Sequence, residues 1–319
     1  MGDSLAPSVT PLLHQTGVWE AFLASRPLPS AGNRAAWGSR WLGEHAFLRE
    51  PWGTGWHLDR VAFDQQLRRA AERAGVRLLR GSVSSLGGGP GGWVVATDAG
   101  TLQAEFVVDA TGRRAALARQ LGARRRVLDH QIALVAFLHP IDAPIEDTTT
   151  LVEAVPDGWW YSALLPDGRL SLAFFTDPER ARGARSAGGW SAAMAATDHT
   201  ADRLKPYNVT SRPRTVSAGS SLLTPSGGRG WLAVGDAAAT YDPLSSHGVG
   251  TALAEGRRAG ELVCQLLAGD CSALGVELDR RMASYAAYLT RRLAYYRAEL
   301  RWPDSPFWAR RHVLPRSGS

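Results

Sequence analysis

The stretch Trp231 to Leu253, WLAVGDAAATYDPLSSHGVGTAL, constrains the fold of this chain more than any other. An apolar run ends in Gly235-Asp236, small residues and a proline turn follow, and two glycines open a helical pattern. That order predicts a strand over Trp231 to Val234, a tight turn, and a helix whose N-terminus faces the same space. An aspartate at such a strand end can accept hydrogen bonds from the sugar or ribityl hydroxyls of a nucleotide cofactor. Ala237 to Ala239 leave room for the cofactor, and Pro243 fixes the turn. Gly248 and Gly250 bare the first N–H groups of the helix, whose positive dipole end suits an electron-rich carbonyl or a developing anion. His247, beside this turn, is a candidate acid or base, with a plain hydrogen-bonding or exposed role as the alternative.

A second unit, TLQAEFVVDATGRRAALARQLGA, has the same logic. A buried strand delivers Asp109 at its C-terminal end, Thr111-Gly112 make a tight turn, and a helix follows, which is where open α/β sheets bind ligands. Ala110 and Gly112 keep the backbone narrow enough for close approach. The Gly-rich GGGPGG (Gly87 to Gly92) joins two β-like runs and opens no helix, so it reads as a hairpin turn and not as a phosphate loop. Arg60 sits at a strand-to-helix junction, where a guanidinium beside a helix N-terminus suits phosphate; a surface first-turn arginine is the alternative.

Around these units the chain alternates strands and helices. A helix is expected over Val9 to Phe22 and another from about Arg60 to Ala74, with Val61, Leu67, Ala71 and Ala74 along one face. VRLLRGSVSSL, GWVVATDAG and TLQAEFVVDATG read as three strands. From about Arg126 to Pro213 the texture changes to alternating strands with a helical piece near Ser191 to Lys205, the pattern of an antiparallel sheet. Two helices, roughly Ala252 to Leu267 and Ala273 to Arg301, finish the chain. The expected architecture is α/β with an α+β substrate domain. A Rossmann-like nucleotide-binding domain occupies residues 1–125 and 223–275, an antiparallel-sheet domain 126–222, and a C-terminal helix and tail 276–319.

With 319 residues and 45% hydrophobic content the chain can bury a sizeable core. No apolar run approaches the roughly 20 residues that cross a bilayer, no basic-then-apolar leader follows Met1, and the cytoplasm is the expected location. The net charge of +6 is spread in short arginine clusters on predicted helices, a pattern of solvated faces and not of a nucleic-acid footprint. Cys264 and Cys271 have no His or Cys partner at metal-ligand spacing, so no metal site is expected and Cys264 reads as helix packing. Lys205 is the only lysine.

GDSLAPS, GWHLDRVAFDQQL, VVDATGRRAALARQLGA, GWWYSALLPDGRLSLAFF, GWLAVGDAAATYDPLSSHGVGTAL and RRLAYYRAELRWPDSPFW together resemble the tryptophan-halogenase-like FAD oxidoreductases of the p-hydroxybenzoate hydroxylase fold. That branch includes flavoproteins that help mature tryptophylquinone cofactors in partner amine oxidases, and the resemblance covers nearly the whole chain. It implies FAD, with Asp109, Thr111 and Gly112 at the flavin, Gly235-Asp236 at the ribityl or pyrophosphate, Pro243, Gly248 and Gly250 beside the isoalloxazine, and Arg60 near the pyrophosphate. It also implies an N-terminal strand, a G-x-G-x-x-G loop and a helix, none of which occurs in these residues; roughly 30 to 40 residues of βαβ are expected to precede GDSLAPS. A late-assigned start is favoured over a natural truncation, since an unused downstream pocket would decay.

The implied chemistry is reaction of reduced FAD with oxygen to a C4a-hydroperoxide that hydroxylates an aromatic or peptidyl substrate, a protein substrate included. Trp159, Trp160 and Tyr161 are candidates for a substrate wall, with core packing as the alternative for at least one. Halogenation competes, but it needs a lysine between flavin and substrate, and GWWYSALLP matches the halogenases' Trp-x-Trp-x-Ile-Pro strand only loosely. An inactive partner protein that binds through Tyr295, Tyr296, Trp302, Phe307 and Trp308 is the reading from another class.

Overall fold

The apolar runs in the middle of the chain pair into one large sheet. In the computed structural model, which describes residues 4–209, 212–246 and 248–314, Ile132–Pro140, Leu170–Thr176, Gly158–Leu164 and Thr150–Val155 form its antiparallel centre. Tyr207–Asn208 and Arg214–Ser217 flank Ile132–Pro140. On the other edge, Gly32–Ala36 joins Thr150–Val155 in parallel and carries Gly43–Ala46 as its hairpin partner. The sheet therefore draws two strands from outside residues 126–222 and includes one parallel pair.

Strand alternation sends Trp159 and Trp160 to opposite faces, and each face is covered. Trp160 packs with Leu134, Leu172 and Phe174 under Trp190, Met194 and Leu204 of the helices Ala187–Ala195 and His199–Leu204. Trp159 packs with Val135 and Phe175 under Tyr296, Phe307 and Trp308 from the end of the chain. Burying one such ring removes roughly 150 to 250 Å² from water, an upper-bound gain of roughly 4 to 6 kcal/mol.

Beside this sheet lies a smaller α/β layer. Val107–Asp109 and Trp231–Ala233 run parallel, and Gly227–Gly228 adds a third strand. Val83–Gly89, Gly92–Thr97 and Gly100–Ala104 form a meander whose GGGPGG corner is a hairpin turn, with Gly91 at φ +86. The helix Arg60–Arg73 begins where Asp59 caps Val61 and Ala62, and the long helices Gly248–Leu267 and Ser272–Arg297 close the layer.

Several expectations shift. The first helical stretch splits into Thr10–Gln15 and Trp19–Ala24, because Gly17 at φ +68 breaks the hydrogen-bond ladder. Val76 to Leu79 stay exposed without strand pairing; the run has the composition of a strand but no neighbouring ladder among the described residues. Cys264 is exposed and not packed. Tyr296, Phe307 and Trp308 are buried in the core, so the aromatic tail is not a free docking surface at those three positions.

Candidate functional site

The two motifs meet at their strand ends. Trp231, Leu232 and Ala233 pair in register with Val107, Val108 and Asp109, and the Val234 N–H donates to the Asp109 carbonyl at 2.9 Å. Two turns therefore lie side by side: Ala110 to Gly112, with Gly112 at φ +68, and Gly235-Asp236, with Gly235 at φ +56. Positive φ at both glycines lets the backbone fold back without a Cβ clash. The exposed Asp236 carboxylate pairs with Arg113 at 3.5 Å.

Asp109 does not face this surface. It is 1% exposed, and its carboxylate accepts from the Thr111 N–H and hydroxyl and from the N–H groups of Leu117 and Ala118. Direct contact with a cofactor, expected from the motif, is corrected: four short-range donors saturate the side chain, which pins the turn and caps the helix Ala116–Gln120. The Thr111 hydroxyl extends the same cap by accepting from the Ala116 N–H at 2.7 Å.

The helix start is fixed from three directions. Pro243 opens a short 3-10 turn that the buried Asp242 caps through the Leu244 N–H. Gly250 lies against the N-terminal segment so closely that a Cβ would come within 2.9 Å of the Val9 side chain, whereas Gly248 borders open space. Glu255, one face further along, accepts from the Gly235 N–H at 2.9 Å and so ties the helix to the Gly-Asp turn. Burial pushes the Glu255 carboxyl up from the ordinary range, against the opposing pull of Arg281. His247 lies outside the described residues.

The remaining candidates separate. Arg60 is the first residue of its helix and pairs with Asp64 at 3.2 Å. Trp159 and Trp160 are each 1% exposed and stacked on Phe175 and Phe174, so a substrate wall at these two is corrected to core packing on a sheet covered on both faces. Tyr161, half-buried, shares a 2.7 Å hydrogen bond with Ser4 and joins the sheet to the N-terminal segment.

Residues that the motifs did not flag hold the site together. Arg125 donates to the Asp236 and Ala237 carbonyls. Arg292 bridges Asp242 and Asp129, Tyr296 donates to Asp242 at 2.9 Å, and Arg311 links Asp129 to Asp177. The signal for Asp242 was its place one residue before a proline-led turn.

Beside the helix start lies a cleft of about 510 Å³ between the two long helices and the N-terminal segment, reaching from Ser8 and Val9 past Leu244 and Gly250 to Glu255. An exposed carboxylate, two positive-φ turns and an open helix start suit a hydroxylated chain followed by a flat, electron-rich ring, so the residues present fit a flavin.

Parallel strand ends that finish in glycine turns beside a helix start are an arrangement that suits a nucleotide cofactor. A model of the family described as tryptophan halogenase matches residues 43–316, and the chain belongs to that family, whose cofactor is FAD. LodB of Marinomonas mediterranea, which carries the name of an FAD-dependent oxidoreductase, is 30% identical over 90% of this chain and 79% of its own length. Tryptophan 2-halogenase of Chondromyces crocatus is 29% identical over 85% of this chain and 55% of its own. The flavin-dependent halogenase CmlS superposes with TM-score 0.88 over 99% of this chain and 61% of its own, at 23% identity, a likeness of fold. QhpG, a peptidyl tryptophan dihydroxylase essential for tryptophylquinone cofactor biogenesis, gives TM-score 0.80 and 26% identity over 99% of this chain and 71% of its own. The chain thus spans between 55% and 79% of the length of these relatives.

Proposed function

We propose that the protein is an FAD-dependent monooxygenase of the cytoplasm that hydroxylates an aromatic or peptidyl substrate, a protein-borne side chain included. One observation carries the preference over halogenation. Lys205, the only lysine in these residues, sits 76% exposed at the end of a short helix over the large sheet, paired with Asp202 at 2.7 Å. The cleft beside the helix start is lined by arginines instead, which stay protonated and do not carry an activated halogen as an amine does. The likeness to QhpG supports the same choice.

In this reading Asp236 accepts from the ribityl hydroxyls, while Gly112 and Gly235 let the backbone approach them. Asp109 and Thr111 hold that approach rigid, and Arg60 faces the pyrophosphate. Pro243, Gly248 and Gly250 border the ring, where free N–H groups stabilise negative charge, and His247 is the candidate acid or base. Bound and reduced, FAD supplies oxygen activation. The test is to reduce the FAD-loaded protein with a flavin reductase under isotopically heavy oxygen, offering free indoles and tryptophan-containing peptides with and without bromide. Products that carry the heavy oxygen whether or not bromide is present are expected; a brominated product transfers the protein to the halogenases.

A further inference from the structure

The cleft between Gly248–Leu267 and Ser272–Arg297 holds an arginine, Arg258, that Glu277 and Glu255 favour through space but that no carboxylate of the described residues pairs directly. Four arginines line it (Arg258, Arg280, Arg291 and Arg292) against two carboxylates, Asp242 and Glu255. Two of the four are committed: Arg280 makes two 2.7 Å bonds to Glu277, and Arg292 bridges Asp242 and Asp129. Glu255 gives one carboxylate oxygen to the Gly235 N–H. Arg258 is half-buried and makes no hydrogen bond or ion pair with any described residue, and its Nε is shielded from solvent without an acceptor. Burial, then the neighbouring Arg280, works against its positive charge, with Glu277 and Glu255 pulling the other way.

A guanidinium nitrogen shielded from water without an acceptor costs free energy that an arriving anion can relieve. The cleft also has an apolar lining from Val9, Leu12, Leu244 and Ala254, and about 510 Å³ accommodates a ligand of one or two rings. We propose that this cleft binds a small monoanion, a carboxylate carried on an aromatic body, with Arg258 as the residue that recognises the oxyanion. As a substrate class this rests on the oxygenase reading above; as a binding site it stands on the cleft alone.

Isothermal titration with phenylacetate and its neutral isostere phenylacetamide, on the protein without and with saturating FAD, tests it. Phenylacetate is expected to bind at least about tenfold more tightly than the amide. Arg258→Met should abolish that preference, Arg258→Lys should keep part of it, and neither should lower the thermal midpoint of the ligand-free protein, because no hydrogen bond is lost. Equal affinity for acid and amide, no binding of either, or an Arg258→Met variant that still prefers the acid overturns the proposal. Displacement of phenylacetate by FAD also overturns it, since the cleft is then the cofactor's own. Phenylacetate that stays bound beside FAD but is never oxygenated leaves the site standing and fails the oxygenase reading instead.

Discussion

Single side chains here do their work by being saturated or by being left unsaturated. The Asp109 carboxylate accepts from four donors of its turn and helix start, whereas His57 is fully buried with its Nε2 at 3.2 Å from the Thr150 hydroxyl. Burial, reinforced by Arg203, pulls the His57 pKa from 6.5 down to about 4. A base whose folded pKa is depressed is neutral in the fold and protonates first in the unfolded chain, so its contribution is complete above pH 6.5 and is lost as pH falls toward 4. At about 1.4 kcal/mol per pH unit, the loss approaches about 3 kcal/mol across that window. Urea unfolding of the wild type and of His57→Gln at several pH values should show the wild type weakening more steeply between those limits. Parallel curves would mean that His57 finds a proton acceptor when it charges.

At the level of elements, legibility depended on whether a helix or strand writes its partner into its own pattern. The helix Arg60–Arg73 was readable from its length and its stop, but its buried face runs through Phe63, Leu67 and Ala70, and Val61, expected inside, is 67% exposed. The two motif turns were readable because glycine, aspartate and proline at fixed offsets serve few other purposes. The helix Ser272–Arg297 was found, yet its inward stripe was not. That stripe is Glu277, Arg281, Tyr285, Tyr288, Arg292 and Tyr296, spaced by three and four, all buried and none aliphatic. A search for apolar periodicity passes over it, because these side chains become burial-competent only when the fold supplies Asp242, Asp129 and the Ala233 carbonyl as partners. Arg292→Met should therefore cost about 3 to 5 kcal/mol, leaving two carboxylates buried without their shared cation, and Arg292→Lys should recover only part because an ammonium lacks the fork that spans both. Chemical denaturation reads both; a loss below about 1 kcal/mol for the methionine variant would show that Arg311 and Tyr296 alone satisfy the pair.

For the molecule as a whole, the large sheet is closed on both faces, and a seam opens where the helix start, tied by Glu255 to the Gly235 turn, meets the N-terminal segment. Among the described residues no helix is long and apolar enough to cross a membrane. The seam predicts a separation between what holds the fold and what holds the cofactor. The exposed Asp236 carboxylate pairs with Arg113 at 3.5 Å, a surface pair of small energetic value, while its backbone carbonyl accepts from Arg125 whatever the side chain. Asp236→Asn should leave the thermal midpoint of the FAD-free protein unchanged, since nothing buried loses a partner. Added FAD stabilises whichever form binds it by RT ln(1 + [L]/Kd), about 2.7 kcal/mol at a hundredfold excess over Kd. The asparagine keeps one acceptor oxygen but gives up the charge that strengthens bonds from hydroxyl donors, so Kd should rise about tenfold and the FAD-induced rise in midpoint should shrink accordingly. Flavin that stabilises both proteins equally would move the ribityl contacts away from Asp236 and onto the backbone of the two glycine turns. A variant already unstable without FAD would instead give Asp236 a structural part that its exposure argues against.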